Sequence, residues 1–248
     1  MTSLVWDGCI NVRDLGGLGT VDGVTTQHGR IVRADNLRKL SKRGRKALLD
    51  HGVARVLDLR FPEELAEDPE GDLPVEVVHV SLFGDSRTPA WQAEQNAAMD
   101  RAATAEEYLV WSYGAFLDRY RDKFAAAVQA IADAPEGAVV VHCLGGKDRT
   151  GLLTALLLRV AGVPVEAVAE EYALTEAALA PTTPAWIALA PDEAERRRRE
   201  LMRPAPATAM VEVLRGLDER YGGVVDYLRG AGVTDDTLER IRERLVAA

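Results

Sequence analysis

The residues whose types and spacing could do chemistry together run His142-Cys143-Leu144-Gly145-Gly146-Lys147-Asp148-Arg149-Thr150. A cysteine thiolate is a strong nucleophile, and positive surroundings favour that form over the thiol. Arginine carries a rigid fork of donors that can grip two oxygens of a tetrahedral anion at once. Gly145 and Gly146 let the backbone adopt conformations closed to other residues, so the N–H groups of residues 144 to 149 can wrap around such an anion. The cluster predicts in-line attack of Cys143 on a phosphorus held by those amides and by Arg149, giving a thiophosphoryl intermediate that water then hydrolyses. A cysteine beside a histidine is more often a small buried hydrophobe than a nucleophile. Arginine six positions on, with threonine next, brings chance matches down to about one per ten thousand cysteines at average residue usage. A nucleotide-binding loop would instead need Gly, four residues, Gly, Lys and Ser or Thr. Here Lys147 precedes Asp148, so ATP and GTP are not expected.

Such a loop must be held between a strand and a helix. Gly137 to Val141 is wholly apolar, as a central strand buried on both faces should be, and a helix is expected from about Thr150 to Ala161, after a seven-residue loop. Ligands in open α/β sheets bind at the carboxyl ends of strands, and the following helix N-terminus favours anions there. Further strands are predicted over Gly29 to Arg33, Val53 to Leu59 and Val75 to Leu82. Ser41 to His51 reads as a helix with Ser41 as its N-cap and Gly52 as its stop. Thr104 followed by Glu107 is a capping-box pattern that opens helical sequence running toward Ala132. After Gly162 the helix restarts near Pro164, and from Ala207 the chain is helical again with a break at Gly222 and Gly223. Pro181 to Pro206 holds five prolines and four successive arginines, and reads as an inserted helical or loop segment over the site. The pattern as a whole is α/β with a largely parallel sheet.

Composition sets the outer limits. At 248 residues, 47% hydrophobic and 28% charged, the chain can bury a sizeable core without a disulfide or metal. No apolar stretch is long enough to span a bilayer, so no stable membrane insertion is expected. The N-terminus lacks a basic start followed by an apolar run, and only Cys9 and Cys143 occur. A reducing cytoplasm is the natural setting, with export by a route that leaves no signal as the alternative. A net charge of −9 argues against a nucleic-acid partner, so an anionic substrate must be captured by a local positive site.

The pattern His-Cys, five residues, Arg-Thr resembles that of the cysteine-dependent protein-tyrosine and dual-specificity phosphatases. Gly-Lys-Asp-Arg-Thr-Gly at 146–151 is similar to the bacterial tyrosine/serine phosphatase family, some members of which act on lipid phosphates. Asn11-Val-Arg-Asp-Leu-Gly-Gly17, Gly29 to Arg33, Asp58-Leu-Arg60 with Glu64, and Tyr221-Gly-Gly through Gly232-Val resemble other segments of that family, so the likeness covers nearly the whole chain. It implies a single phosphatase-type domain over residues 1–248, a central sheet of four or five strands flanked by helices, and a helical lid inserted at 177–206. It also implies hydrolysis of phosphotyrosine, or of phosphoserine and phosphothreonine, on a phosphorylated protein, without a cofactor. A phospholipid is the alternative substrate. A rhodanese-like sulfur transferase and a non-catalytic phosphate-binding module are the weaker readings.

The same resemblance implies a general acid. Family members place it after a strand reading His-x-x-x-apolar-x-Asp, here His79 to Asp85, which makes Asp85 the candidate and Asp148 its rival. It gives His142 the role of supporting the loop. Family members often carry Tyr-x-x-Ser-Asn after the active-site helix, whereas this chain has Tyr172-Ala-Leu-Thr-Glu176. Arg13 and Asp14 are expected to staple the N-terminal segment near the site, Arg60 to pair with Glu64, and Lys147 to attract the anion. Arg196 to Arg199 read as a solvated helix face, or as an attractor for a phosphoprotein or lipid headgroup. Asp118 and Asp122 read as surface charges. Cys9 reads as a buried strand residue, with a disulfide shielding Cys143 as its alternative role. His28, His51 and His79 lack metal-ligand spacing, and no metal site is expected.

Overall fold

In the computed structural model, which describes residues 2–69, 71 and 73–246, six strands form one sheet: β1 (Thr2–Ser3), β2 (Arg13–Asp14), β3 (Ile31–Ala34), β4 (Val53–Asp58), β5 (Glu76–His79) and β6 (Ala138–His142). Their order is β1-β2-β3-β6-β4-β5. β3, β6, β4 and β5 run parallel, and β1 and β2 add an antiparallel edge. The six strands exceed the expected four or five because β1 and β2, of two residues each, are too short to leave an alternating pattern. Ala34, His142, Asp58 and His79 lie level with one another, so all four parallel strands end at one rim.

Twelve helices are present among the described residues. Before β6 come α1 (Lys42–Asp50), α2 (Pro62–Glu67), α3 (Pro89–Arg101), α4 (Ala105–Arg119) and α5 (Arg121–Ala132). After it come α6 (Asp148–Val160), α7 (Val165–Leu179), α8 (Thr183–Ala188), α9 (Glu193–Met202), α10 (Ala207–Tyr221), α11 (Val224–Gly230) and α12 (Asp235–Leu245). Ser41 caps α1 as expected, its hydroxyl accepting from the amides of Arg43 and Gly44. The single helical run from Thr104 to Ala132 is instead two helices, broken at Tyr120, whose ring lies against Phe83 and Phe116. Helices α2 and α3 fall where none is predicted. Both open on proline after an extended N-cap, Phe61-Pro62 and Thr88-Pro89.

Alternation along β6 divides the core. Val139 and Val141 face a large cluster with α4 to α7 and α10 to α12, whereas Ala138 and Val140 face a smaller one with Trp6, Leu37 and Leu48. Helix α6 is buried along almost its whole length, so it is fixed relative to the sheet from which its loop springs. No helix among the described residues is long and apolar enough to cross a membrane.

Candidate active site at the rim of the central strand

β6 ends at His142 and α6 begins at Asp148, so the connecting loop is Cys143 to Lys147. This corrects the expected start at Thr150. Asp148 and Arg149 are first-turn helical residues, which ties their directions to the axis of α6. Gly146 has φ +64°, and a Cβ there would lie 2.5 Å from the carbonyl oxygen of Ala34, so only glycine fits.

The loop carbonyls are held from behind. The amide of Asn36 donates to the Leu144 oxygen at 3.1 Å. Asn11 Nδ2 donates to the oxygens of Gly145 at 2.9 Å and Gly146 at 3.2 Å, and an Arg33 guanidinium nitrogen reaches the latter at 2.6 Å. All peptide bonds among the described residues are trans. In a trans peptide the N–H points opposite to the preceding carbonyl, so the amides of Gly145, Gly146 and Lys147 are turned away from Asn11, Arg33 and Asn36. Oriented amides of this kind make an anion cradle.

Behind the cradle lies a buried ionic hub. Glu171 of α7 accepts from Arg13 Nε at 2.8 Å and pairs through its other oxygen with Arg33, and Thr175 Oγ1 accepts from Arg13 at 3.1 Å and from Arg33 at 3.2 Å. Arg13 also donates to Asn11 Oδ1. Thr175 therefore braces the hub, and Glu176 bonds Arg203 at 3.2 Å and the Ala205 amide at 3.1 Å, tying down the exit of the insertion. Asp14 points away, as the next residue on a strand must. It accepts from the amides of Gly16 and Gly29, each at 2.7 Å, with His51 3.2 Å away.

Arg149 is buried and makes a bidentate pair with Glu64, over the Phe61 ring at 5.2 Å from its centroid. Burial opposes the charge on Arg149, but attraction to Cys143 and Glu64 outweighs it and holds the guanidinium firmly protonated. Burial likewise raises Glu64, yet its bonds to Arg149 and to the Phe61 amide win, and the carboxyl sits below its ordinary value. The expected Arg60–Glu64 pair does not form: Arg60 binds Asp58, with contacts of 2.7 to 3.0 Å. Asp58 lies 3.8 Å from His142 Nε2, so His142 is held from below while its Nδ1 approaches the Cys143 carbonyl at 3.2 Å. Cys143 itself is buried at the loop's start, and Thr150 Oγ1 is buried with no hydrogen-bond partner among the described residues.

The remaining candidates separate. Asp85 is 86% exposed and pairs with Lys123 at 2.6 Å on the wall of an open groove of about 550 Å³ that Trp91, Arg119 and Tyr120 also line. Asp148 stands beside Arg149, accepts from Tyr113 OH at 2.6 Å and keeps a third of its side chain open to solvent. Lys147 does not project. It is buried, donates to the Met202 carbonyl at the end of α9 and lies 3.8 Å from Asp148, with burial pulling its ammonium below the ordinary lysine value. Within the arginine run, Arg198 pairs with Asp100 at 2.7 Å and Arg199 with Glu195 at 3.0 Å, and Arg196 lies 3.5 Å from Glu200. Cys9 is not a strand residue. It follows a turn between β1 and β2, half-buried, with its sulfur 3.5 Å from the Asn36 carbonyl. Glu64, Glu171 and Asn11 are the site residues for which the sequence predicts no such part. The sequence signal for Glu171 is a lone acid on the apolar face of α7, between Val168 and Tyr172.

The central strand of this α/β sheet ends in a buried cysteine whose loop carbonyls are braced from one side, and the helix that follows carries an arginine paired with Glu64. A sequence model of the tyrosine phosphatase family matches residues 4–247, and the chain belongs to that family of hydrolases. It is 28% identical over 231 residues to a tyrosine-protein phosphatase of Nostoc commune, covering 87% of this chain and 74% of the relative. It is also 25% identical over 271 residues to the triple specificity protein phosphatase PtpB of Mycobacterium tuberculosis, covering 95% and 96%.

Proposed function

We propose that the chain removes phosphate from phosphotyrosine, and from phosphoserine and phosphothreonine, on phosphorylated proteins through a phosphocysteine at Cys143. The observation that carries this is the set of loop carbonyls held by Asn11, Arg33 and Asn36, which leaves the amides of the loop beside Cys143 turned the other way, free for an anion. A phosphate dianion seated there has three oxygens against amides and Arg149, and its ester oxygen away from the sulfur. The Cys143 thiolate forms the S–P bond as the P–O ester bond breaks, and a proton from Asp148 goes to the departing oxygen. Water then attacks phosphorus, giving its proton back to Asp148 as the S–P bond breaks. The Thr150 hydroxyl, without a partner among the described residues, donates to the sulfur as it leaves. Asp148 is favoured over Asp85 because it stands in the first turn of α6 beside Arg149, whereas Asp85 is turned out to Lys123.

A phosphoprotein is favoured over a lipid headgroup because the cations that could call for one are engaged internally, Lys147 with Met202 and three of the four arginines with carboxylates. Residues 177–206 act as a lid, supported by the bond from Lys147 in the cradle to the end of α9. The test is hydrolysis of p-nitrophenyl phosphate in EDTA by the wild type and by Cys143→Ser. Turnover by the first and none by the second is expected. Equal turnover by both would exclude Cys143 as the nucleophile.

A further inference from the structure

Asp148 is gripped by a buried pair of phenols. Tyr113 OH donates to its Oδ1 at 2.6 Å, and Tyr172 OH lies 2.9 Å from Tyr113 OH, the two rings meeting edge to face at 6.2 Å. A phenol has one proton. Tyr113 spends its own on Asp148, so Tyr172 is the donor in the second bond. The three residues come from α4, α7 and α6, and Tyr113 and Tyr172 are completely enclosed. Burial, reinforced by the charge of Asp148, pushes both phenols well above their ordinary value, so they remain protonated donors.

The other charged and titratable groups around this cluster are Lys147 and Arg149 beside Asp148, Tyr108 on α4, and Arg33 and Glu176 around Tyr172. The bond from Tyr113 and the approach of Lys147 both fall on Oδ1, and Oδ2 has no partner among the described residues. Phenylalanine at 113 and 172 would fill the same space, so the hydroxyls have a use beyond packing.

We infer that Tyr113, backed by Tyr172, is the positioning residue of Asp148: it fixes Oδ1 and leaves Oδ2 to meet the leaving oxygen. This rests on the reading of Asp148 as the general acid. An acid held in one direction meets the leaving oxygen more often than one free to rotate, and that gain is confined to substrates whose leaving group needs the proton.

The experiment compares kcat and KM on phenyl phosphate, whose leaving group needs a proton, with those on p-nitrophenyl phosphate, whose leaving group needs it far less. Asp148→Asn should lose much more activity on the first substrate than on the second. Tyr113→Phe should lower kcat on phenyl phosphate several-fold with KM little changed, and lower kcat on p-nitrophenyl phosphate far less. Tyr172→Phe, which leaves the bond to Asp148 in place, should act in the same direction by less, and keeps the test open if Tyr113→Phe does not fold. An unchanged ratio of the two kcat values in a folded Tyr113→Phe enzyme, or in Tyr172→Phe if the first does not fold, overturns the inference while leaving Asp148 as the acid. Full activity of Asp148→Asn on phenyl phosphate overturns both.

Discussion

Glu64 serves two partners with two oxygens. One accepts the Phe61 amide at 2.7 Å and both meet the Arg149 guanidinium, so the residue that closes the N-terminus of α2 also aims the arginine proposed to grip the phosphate. Glu64→Gln keeps the shape but turns an amide donor toward the guanidinium. The expected result is a fall in kcat/KM on p-nitrophenyl phosphate of about tenfold to a hundredfold, the scale of a displaced positioning group. A pH effect on stability follows from the same pair. The folded carboxyl of Glu64 lies below its ordinary value, so the stability it contributes is complete above that value and is lost as the pH falls through the folded one. Asp58 behaves alike: burial raises it, but His142 and Arg60 outweigh that. The urea midpoint of the wild type should therefore drop as the pH is taken below about 4.3. The drop should be shallower in Glu64→Gln, and equal slopes would dissociate Glu64 from acid stability.

The cradle is an arrangement of elements more than a motif. β2 supplies Arg13, β3 supplies Arg33, and α7 supplies Glu171 and Thr175. The loop is pressed into shape by partners up to 135 residues away in the chain. Glu171 is the only carboxylate among the described residues that bonds both buried arginines. Glu171→Gln leaves two guanidinium charges without a counter-ion, an imbalance that costs about 3 to 5 kcal/mol when a buried pair is broken. The expected outcome is a urea midpoint lowered to match, with the slope unchanged, and loss of vanadate affinity because the loop carbonyls are no longer braced. A variant with wild-type midpoint and affinity would show that the hub does not shape the loop.

Across the whole molecule, the insertion is the part least bound to the core. Helices α8 and α9 have no fully buried residue. Leu201 and Met202 at the end of α9 pack against the core, but the other links, such as Arg198 to Asp100, are polar and can break and re-form far more readily than a packed core. If the segment gates the cradle, filling the cradle alters its mobility. Limited proteolysis near Ala194 should change when vanadate is added, with cleavage elsewhere unaffected. Identical cleavage patterns with and without vanadate would count against the lid.

The sequence by itself determined that a loop opening on Cys143 joins a buried strand to a helix, the parallel strands on either side of it and the capped starts of α1 and α4. Each of these is written in neighbouring residues, as an apolar run, a helix cap or a fixed spacing around Cys143. Only the tertiary structure decided that Arg149 meets Glu64 across 85 residues while Arg60 turns to Asp58 two residues away. It also decided that Lys147 is buried, that Asp85 faces Lys123, and that the helix from Thr104 breaks at Tyr120 against Phe83. The reason is physical. A charged side chain has several partners of suitable chemistry in any sequence, and which one it reaches is set by the packing of distant elements that brings one of them within 3 Å and desolvates the pair.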